Sequence, residues 1–318
     1  MQPATPTSAS GIRFGLCCLF HSEPIRFRTT TAKALLAVPR AGQLAKLSEI
    51  CLHNAYSLQM SLQAVQRLGI GAFRIMSPLF PRMTHPEVGY RITDLPGGEA
   101  ILATLDACRL FAYQQQIRLS FHPDQFVVLS SPSPEVVASS VQELVYHGWL
   151  AETLGVELIN IHAGGVYGDK QAALQRFGKV LASLPESVRS RLTLENDDVS
   201  YTPQDLLPFC QKHQIPLVYD VHHHRCNPDQ LTLEAATEQA AELWTAKGRE
   251  QYCHISSPRT GWDSPNPKPH ADYITLDDFP DYWLSKTMTI DVEAKAKELA
   301  VRRLMSDLNI LTKNHCQH

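Results

Sequence analysis

The chain lacks several of the patterns that assign a protein to a familiar class. None of its eight cysteines forms a C-x-x-C pair, so a zinc ribbon is not indicated, and we expect small buried thiols in a reducing compartment. No segment approaches the ~20 continuous apolar residues of a membrane helix. The first strand-like run is not followed by G-x-G-x-x-G, which argues against a dinucleotide site.

An excess of positive charge is also missing. The formal net charge is −3, so a nucleic-acid-binding function would need a local positive surface. The 318 residues are 44% hydrophobic and 19% charged, which is ordinary for a globular protein with a full-size core. The first eleven residues, MQPATPTSASG, lack the apolar core of a signal peptide. We therefore expect a disordered N-terminal tail at 1–11 on a soluble cytoplasmic protein.

Short apolar runs alternate with longer amphipathic stretches along the rest of the chain. Runs rich in Val, Ile and Leu between helical patterns, such as those at 134–154 and 203–213, predict a parallel sheet. Eight such units in about 300 residues match a single (β/α)₈ TIM barrel, with a doubly wound open sheet as the alternative. We expect one barrel domain at 12–310 and a C-terminal tail at 311–318. The eight runs lie at 12–19, 72–77, 117–122, 156–164, 191–196, 215–223, 251–256 and 287–294.

Residue types that bind metals stand at the ends of successive strand-like runs. In a barrel these ends converge on one mouth, where active sites are built. A single histidine or glutamate at a strand end is usually a satisfied polar residue or a helix cap, but six consecutive runs carry one. Two or three divalent ions that share carboxylates would use such a set. The residues are His122, His162, Glu195, Asp220, His254, His270 and Glu293, of which His270 lies in the loop after the seventh run.

Three adjacent histidines follow Asp220 in the stretch PLVYDVHHHRCNP. Strict strand alternation places Asp220 and His222 on one face. His223 reaches that face only if the chain bends at the strand end, so geometry leaves both histidines open. We expect at least one of the three to be exposed, or to support a ligand without binding an ion.

Seven motifs together resemble the UV damage endonuclease family, which is related to endonuclease IV. They are FRTTT, FHPDQFVVL, IHAGG, LENDD, YDVHHH, CHIS and DVEAKAKE, and the resemblance runs from about residue 12 to about 307. It implies an endonuclease IV-like and xylose-isomerase-like barrel. It also implies that His223, not His222, joins the seven residues above as a metal ligand, and that Glu195 bridges two ions. The resemblance favours Mn²⁺, two or three ions per chain, with Zn²⁺, Mg²⁺ and Co²⁺ as alternatives.

Two positions depart from the pattern of related proteins. Some members have a lysine two residues before the histidine that matches His254, and Tyr252 stands there in this chain. Endonuclease IV has an aspartate two residues before its last histidine, where this chain has Lys268. The third ion therefore has fewer protein ligands.

The resemblance implies a DNA repair endonuclease. We expect a monomer that acts on double-stranded DNA and nicks the backbone immediately 5′ of cyclobutane pyrimidine dimers and 6-4 photoproducts, with abasic sites as a further substrate. Products would carry a 3′-hydroxyl and a 5′-phosphate. Glu195, Asp220 and Glu293 would be the catalytic carboxylates. A metal-dependent sugar isomerase or epimerase is the alternative, and a non-enzymatic metal-binding protein is a third class.

Two groups of residues are expected to contact DNA. Gln125 and Phe126, directly after the first ligand, are suited to fill the gap left by displaced bases, although Phe126 could equally pack in the core with its valine neighbours. The second group consists of basic side chains near strand ends or in loops, each of which could instead be ordinary surface charge. Its members are Arg74, Arg225, Arg259 and Lys268, with Arg82, Arg91 and Lys170 as further possibilities.

Overall fold

The computed structural model describes the backbone of residues 11–315 and the side chains of residues 11–308. The expected tail at 1–11 lies outside the described residues except for Gly11, as do residues 316–318 of the expected C-terminal tail. The last helix continues to His315, past the expected domain boundary at 310. No helix in the described part of the chain is both long and apolar enough to cross a membrane.

Eight parallel strands form a closed barrel in chain order, which confirms the predicted TIM barrel and rules out the open sheet. All eight strand-like runs contain an observed strand. The strands are β1 Ile12–Cys17, β2 Ala72–Ile75, β3 Arg118–Phe121, β4 Leu158–His162, β5 Leu192–Glu195, β6 Leu217–Asp220, β7 Gln251–Ile255 and β8 Met288–Val292. The helices are α1 Ala32–Leu36, α2 Arg40–Arg67, α3 Gly98–Gln114, α4 Pro134–Leu154, α5 Lys170–Ser183, α6 Glu186–Arg189, α7 Pro203–His213, α8 Val221–Cys226, α9 Leu233–Thr245 and α10 Glu298–His315. Short 3₁₀ turns lie at Ile92–Asp94, Leu276–Asp278 and Asp281–Ser285.

The helices begin and end where local chemistry satisfies their free backbone groups. Helix α4 follows Ser133, whose hydroxyl accepts a hydrogen bond from the Val136 amide, and it ends at Gly155 with a φ of 69°. Helix α7 has a capping box, because Thr202 and Asp205 each accept a hydrogen bond from the other's backbone amide. These signals explain why the helical pattern of the sequence predicts the bounds of both helices.

The fold groups into two compact units, Cys18–Leu192 and the remainder of the chain. In the first, β2 pairs with β3 and β3 with β4. In the second, β1 pairs with β8, and β5, β6, β7 and β8 pair in succession.

The register of the last three strands places acidic and imidazole side chains side by side. Asp220 of β6 is opposite His254 of β7, and His254 is opposite Asp291 of β8. Side chains that are opposite each other on neighbouring parallel strands point to the same face. All three residues are at most 1% exposed, so the barrel interior holds a row of titratable groups at this level.

Candidate metal centre

Three carboxylates surround one imidazole nitrogen at the ends of β5 to β8. Glu195 and Asp220 are the last residues of their strands, and Glu293 follows the last residue of β8. The Nδ1 atom of His254 lies 3.1 Å from Glu195 Oε1, 3.5 Å from Glu293 Oε1 and 4.0 Å from Asp220 Oδ2. Buried like charges this close are unfavourable unless a cation or proton lies among them.

The same group has the geometry of a metal site. Glu195, Asp220 and His254 are all buried, and each offers a ligand atom within 4.8 Å of the other two. The Oδ2 atom of Asp220 is buried and makes no hydrogen bond within the described structure. Because a buried carboxylate oxygen without a hydrogen bond is costly, a bound cation would complement it. The mixed carboxylate and imidazole donors suit Mn²⁺ or Zn²⁺.

The histidine triplet lies in helix α8 and not in strand β6. The chain bends directly from β6 into helix α8, so strand alternation does not extend to His222. Asp220 caps the helix, since its Oδ1 accepts a hydrogen bond of 2.7 Å from the His223 amide. The bend brings His223 Nδ1 to 3.3 Å from Glu195 Oε1 and 3.5 Å from Asp220 Oδ2. His223 therefore lies among the carboxylates, and its role as a metal ligand stays a prediction.

The electrostatics of His223 reflect these neighbours. Burial alone would lower its pKa, but Asp220 and Glu195 outweigh that effect, and the pKa of His223 rises well above its ordinary value. The surrounding carboxylates thus favour a positive charge at this point.

The other two histidines of the triplet are buried and make separate contacts. His224 Nδ1 lies 2.8 Å from the Tyr219 hydroxyl, and its Nε2 lies 3.0 Å from Asp229 Oδ1. His222 Nε2 lies 3.1 Å from the Lys268 carbonyl oxygen, and burial lowers the pKa of His222. Neither is exposed, and a role for either in supporting a ligand stays a prediction.

His270 approaches the same carboxylates from the loop after β7. Its Nδ1 lies 3.6 Å from Glu293 Oε2. Backbone hydrogen bonds hold the loop on both sides of it, from Arg259 N to Pro269 O at 2.8 Å and from Ala271 N to Ser257 O at 2.8 Å. Six of the eight expected ligands therefore lie in the compact unit that contains strands β6 to β8. They are Glu195, Asp220, His223, His254, His270 and Glu293.

The remaining two expected ligands lie together in the Cys18–Leu192 unit. The rings of His122 and His162 have centroids 5.2 Å apart and are tilted by 50°. Both are half-buried. The Ser77 hydroxyl donates to the His122 carbonyl oxygen at 2.7 Å, which fixes the backbone after β3.

Sequence reasoning missed two residues that touch the ligands. Asp291 Oδ2 lies 3.9 Å from His254 Nε2, and the Tyr252 hydroxyl donates to Asp291 Oδ1 at 2.8 Å. The Asn196 side-chain amide donates from Nδ2 to the Asp220 carbonyl oxygen at 2.8 Å, and its Oδ1 accepts from the Asp220 amide at 3.0 Å. The backbone carbonyl oxygen of Asn196 lies 3.0 Å from His223 Nδ1. Asp291 precedes Glu293 by two residues, a spacing that places both on one strand face. That spacing, and the amide directly after Glu195, are the signals that could have identified them.

The expected lesion-contacting residues are on the surface. Phe126 is 77% exposed, so its ring does not pack in the core, and Gln125 is exposed as well. Both follow His122 in the connection between β3 and α4.

The basic residues expected to contact DNA phosphates differ in exposure and in the groups they already contact. Arg74 is buried within β2, and its role as a phosphate contact stays a prediction. Arg225 is half-buried and donates from Nη1 to the Asp278 carbonyl oxygen at 2.7 Å. Lys268 Nζ lies 3.7 Å from Asp198 Oδ2, while Arg259 is exposed. Of the three further candidates, Arg82 and Arg91 are exposed and Lys170 is half-buried.

Comparisons with known proteins agree over nearly the whole chain. The profile of the family described as UV-endonuclease UvdE matches residues 12–316. A UV DNA damage endonuclease of Nostoc sp. is 35% identical over 303 residues, which cover 92% of this chain and 89% of that protein. The crystal structure of SacUVDE is 26% identical, with a TM-score of 0.82 and coverage of 95% of this chain and 99% of the other. Endonuclease IV from Thermus thermophilus is 16% identical with a TM-score of 0.57 over 93% of this chain and 99% of the other, a likeness of fold alone.

Proposed function

Because the chain belongs to the UV-endonuclease UvdE family, we propose that it is a metal-dependent repair nuclease that cuts DNA immediately 5′ of UV photoproducts. Its substrates would be duplexes with cyclobutane pyrimidine dimers or 6-4 photoproducts, and abasic sites as a further class. The products would carry a 3′-hydroxyl and a 5′-phosphate. The observation that carries this proposal is the convergence of Glu195, Asp220 and Glu293 on His254 Nδ1 at 3.1 to 4.0 Å.

The carboxylate and imidazole groups of the site fit divalent ions. We assign two or three Mn²⁺ ions per chain to them. Three carboxylates in one place balance much of the charge of such ions, and neutral histidines complete their coordination. Ions bound there would activate a water, bind a nonbridging phosphate oxygen and neutralise the leaving 3′-oxygen. The proposed ligands are His122, His162, Glu195, Asp220, His223, His254, His270 and Glu293.

The protein's own residues hold these donors in place. Asp220 uses one oxygen to fix the His223 backbone, which leaves the other oxygen for an ion. Asn196 holds the backbone of Asp220 from the neighbouring strand end. Groups that orient ligands in this way commonly contribute roughly ten- to a hundredfold to metal affinity.

A third ion would have fewer side-chain ligands than the other two. Tyr252, which stands where some relatives have a lysine, donates its hydroxyl to Asp291. Lys268 contributes its carbonyl oxygen to His222, and its ammonium lies near Asp198. Neither side chain is a ligand for a divalent ion in this arrangement, so two ions bound through the eight proposed ligands is the simpler stoichiometry.

Lesion recognition is assigned to Gln125 and Phe126. A ring that is 77% exposed in the free protein is available to stack in the space left by displaced bases. Damaged steps unstack at lower cost than intact ones, so a wedge of this kind favours them.

The proposal is tested by nicking of supercoiled plasmid. Metal-loaded protein should convert UV-irradiated plasmid to the open circle, leave unirradiated plasmid intact and lose activity in EDTA. A labelled duplex with one thymine dimer should yield a single fragment that ends immediately 5′ of the dimer. No nicking of irradiated DNA with Mn²⁺ bound, or equal nicking of undamaged DNA, would refute the assignment.

A further inference from the structure

Trp262, in the loop between β7 and β8, differs from the other tryptophans of the chain. It is 37% exposed, whereas Trp244 and Trp283 are fully buried and Trp149 is partly buried. Its indole Nε1 donates a hydrogen bond of 2.7 Å to Asp278 Oδ1. A large aromatic ring is thus presented to solvent by an otherwise polar, proline-rich loop.

Two contacts hold this ring in one orientation. Asp278, the acceptor of the indole hydrogen bond, is 6% exposed and belongs to the 3₁₀ turn Leu276–Asp278. Its carbonyl oxygen accepts from Arg225 Nη1 at 2.7 Å, and the Arg225 guanidinium carbon lies 5.8 Å from the Trp262 ring centroid. A ring fixed before binding loses little conformational entropy when a ligand packs on it.

The ring also lies close to the proposed metal ligands. The Trp262 centroid is 5.4 Å from that of His222, and the His222 centroid is 5.1 Å from that of His270. The Trp262 ring therefore lies no farther from the His270 ring than roughly three base steps of a duplex, at about 3.4 Å per step. A strand whose scissile phosphate lies at the metal centre would have neighbouring nucleotides within reach of Trp262.

On the premise of the proposed function, we propose that Trp262 is a DNA-contacting residue whose exposed face stacks on a base near the cleaved phosphate. The indole N–H is already bonded to Asp278, so the ring has no donor left with which to read base edges. Its contact is therefore by stacking, which every base accepts. Such a contact suits an enzyme that must accept a lesion in any flanking sequence.

The test is direct binding of metal-loaded protein to a dimer-containing duplex with a non-hydrolysable linkage 5′ of the dimer. Trp262→Ala should weaken binding about tenfold, within the range for loss of one stacked base. Trp262→Phe should retain most of the affinity, because a ring remains. Tyr113→Ala is the matched control: Tyr113 is 79% exposed on helix α3, and its loss should leave affinity unchanged.

Tryptophan fluorescence gives a second readout that does not depend on the alanine variant folding. DNA should quench the emission of the wild-type protein, and Trp262→Phe should abolish most of the quenching while it melts at the wild-type temperature. Wild-type affinity in a folded Trp262→Ala protein, or full quenching in Trp262→Phe, would overturn the inference.

Plasmid nicking by the wild-type protein, measured in parallel, separates this inference from the proposed function. If the wild-type protein nicks damaged plasmid and Trp262→Ala binds DNA as well as wild type, only the inferred stacking contact is refuted. Binding that depends on Trp262 without any nicking removes the endonuclease assignment and leaves the DNA contact standing. Absence of DNA binding by the wild-type protein removes both.

Discussion

Replacement of His223 and His222 by alanine, one at a time, should separate a metal ligand from the residue beside it. His223 Nδ1 lies 3.3 Å from Glu195 Oε1, among the carboxylates. His222 contacts the Lys268 carbonyl oxygen through Nε2, and its ring lies beside the rings of Trp262 and His270. We expect His223→Ala to lower the stabilisation conferred by Mn²⁺, and His222→Ala to lower the stability of the protein with or without metal.

The size of each effect follows from the structure and from mass action. At free Mn²⁺ about 100 times the dissociation constant, binding stabilises the fold by about 2.7 kcal/mol. A roughly hundredfold weaker site leaves about 0.4 kcal/mol at the same concentration. At about 2 °C per kcal/mol, the metal-induced rise in melting temperature falls from about 5 °C to about 1 °C. Loss of the fully buried His222 ring should cost roughly 2–3 kcal/mol in both states, below the range for larger aromatic rings.

The assay is thermal melting of each variant in EDTA and in Mn²⁺, with metal content measured after gel filtration. His224→Ala serves as the control, because His224 is buried and contacts Tyr219 and Asp229 instead of the carboxylates. A full metal-induced rise in His223→Ala together with its loss in His222→Ala would show that His222 is the ligand, and would refute the assignment derived from the bend after Asp220.

Three further outcomes are expected. Glu195→Gln should fold normally but bind less metal and lose most nicking, and near-normal nicking with reduced metal content would contradict the role of Glu195 as a bridge. Phe126→Ala should weaken binding to a thymine-dimer duplex roughly tenfold to a hundredfold. Its melting temperature should not change, because the ring is 77% exposed. Gln125→Ala should act in the same direction, and unchanged affinity in both variants would place lesion recognition elsewhere. Because the pKa of His223 is raised in the metal-free fold, the stability of the EDTA-treated protein should fall as the pH rises above about 6.5. The affinity for Mn²⁺ should rise over the same range, because the proton leaves His223. If neither stability nor affinity changed with pH, this linkage would be excluded.

The regular elements were predictable because helices bury one face with a helical period, whereas the barrel strands are buried on both faces and read as continuous apolar runs. The pattern at 134–154 coincides with helix α4, whose ends are set by Ser133 and Gly155, residues with strong local signals. All eight strands fall within the expected runs, since nearly every residue in them is buried. The end of α10 was not predicted, because no capping signal in the sequence marks the boundary near 310.

The site was predictable only in part, for a physical reason. Strand-end ligands can be read from the sequence because the barrel topology alone brings strand ends to one mouth. The burial of His222 and the orientation of Trp262 depend on how the loop after β7 folds over helix α8, and no local pattern encodes that contact. The spacing of Asp291 to Glu293 is a signal in the sequence, but its contacts with Tyr252 and His254 follow only from the register of β7 with β8.

The two oxygens of Asp220 have a consequence for protein design. One oxygen caps helix α8 through the His223 amide, and the other lies 4.0 Å from His254 Nδ1 in the proposed metal centre, so a single side chain starts the helix and positions the next proposed ligand. The unit needs only a strand end, two intervening residues and one helical turn. A designer could graft D-x-x-H onto another parallel strand-to-helix junction and obtain two ligands in fixed relative positions. A glutamate at the position of Asp220 would be a poor substitute in such a graft, because its longer side chain would not cap the helix while holding the same register.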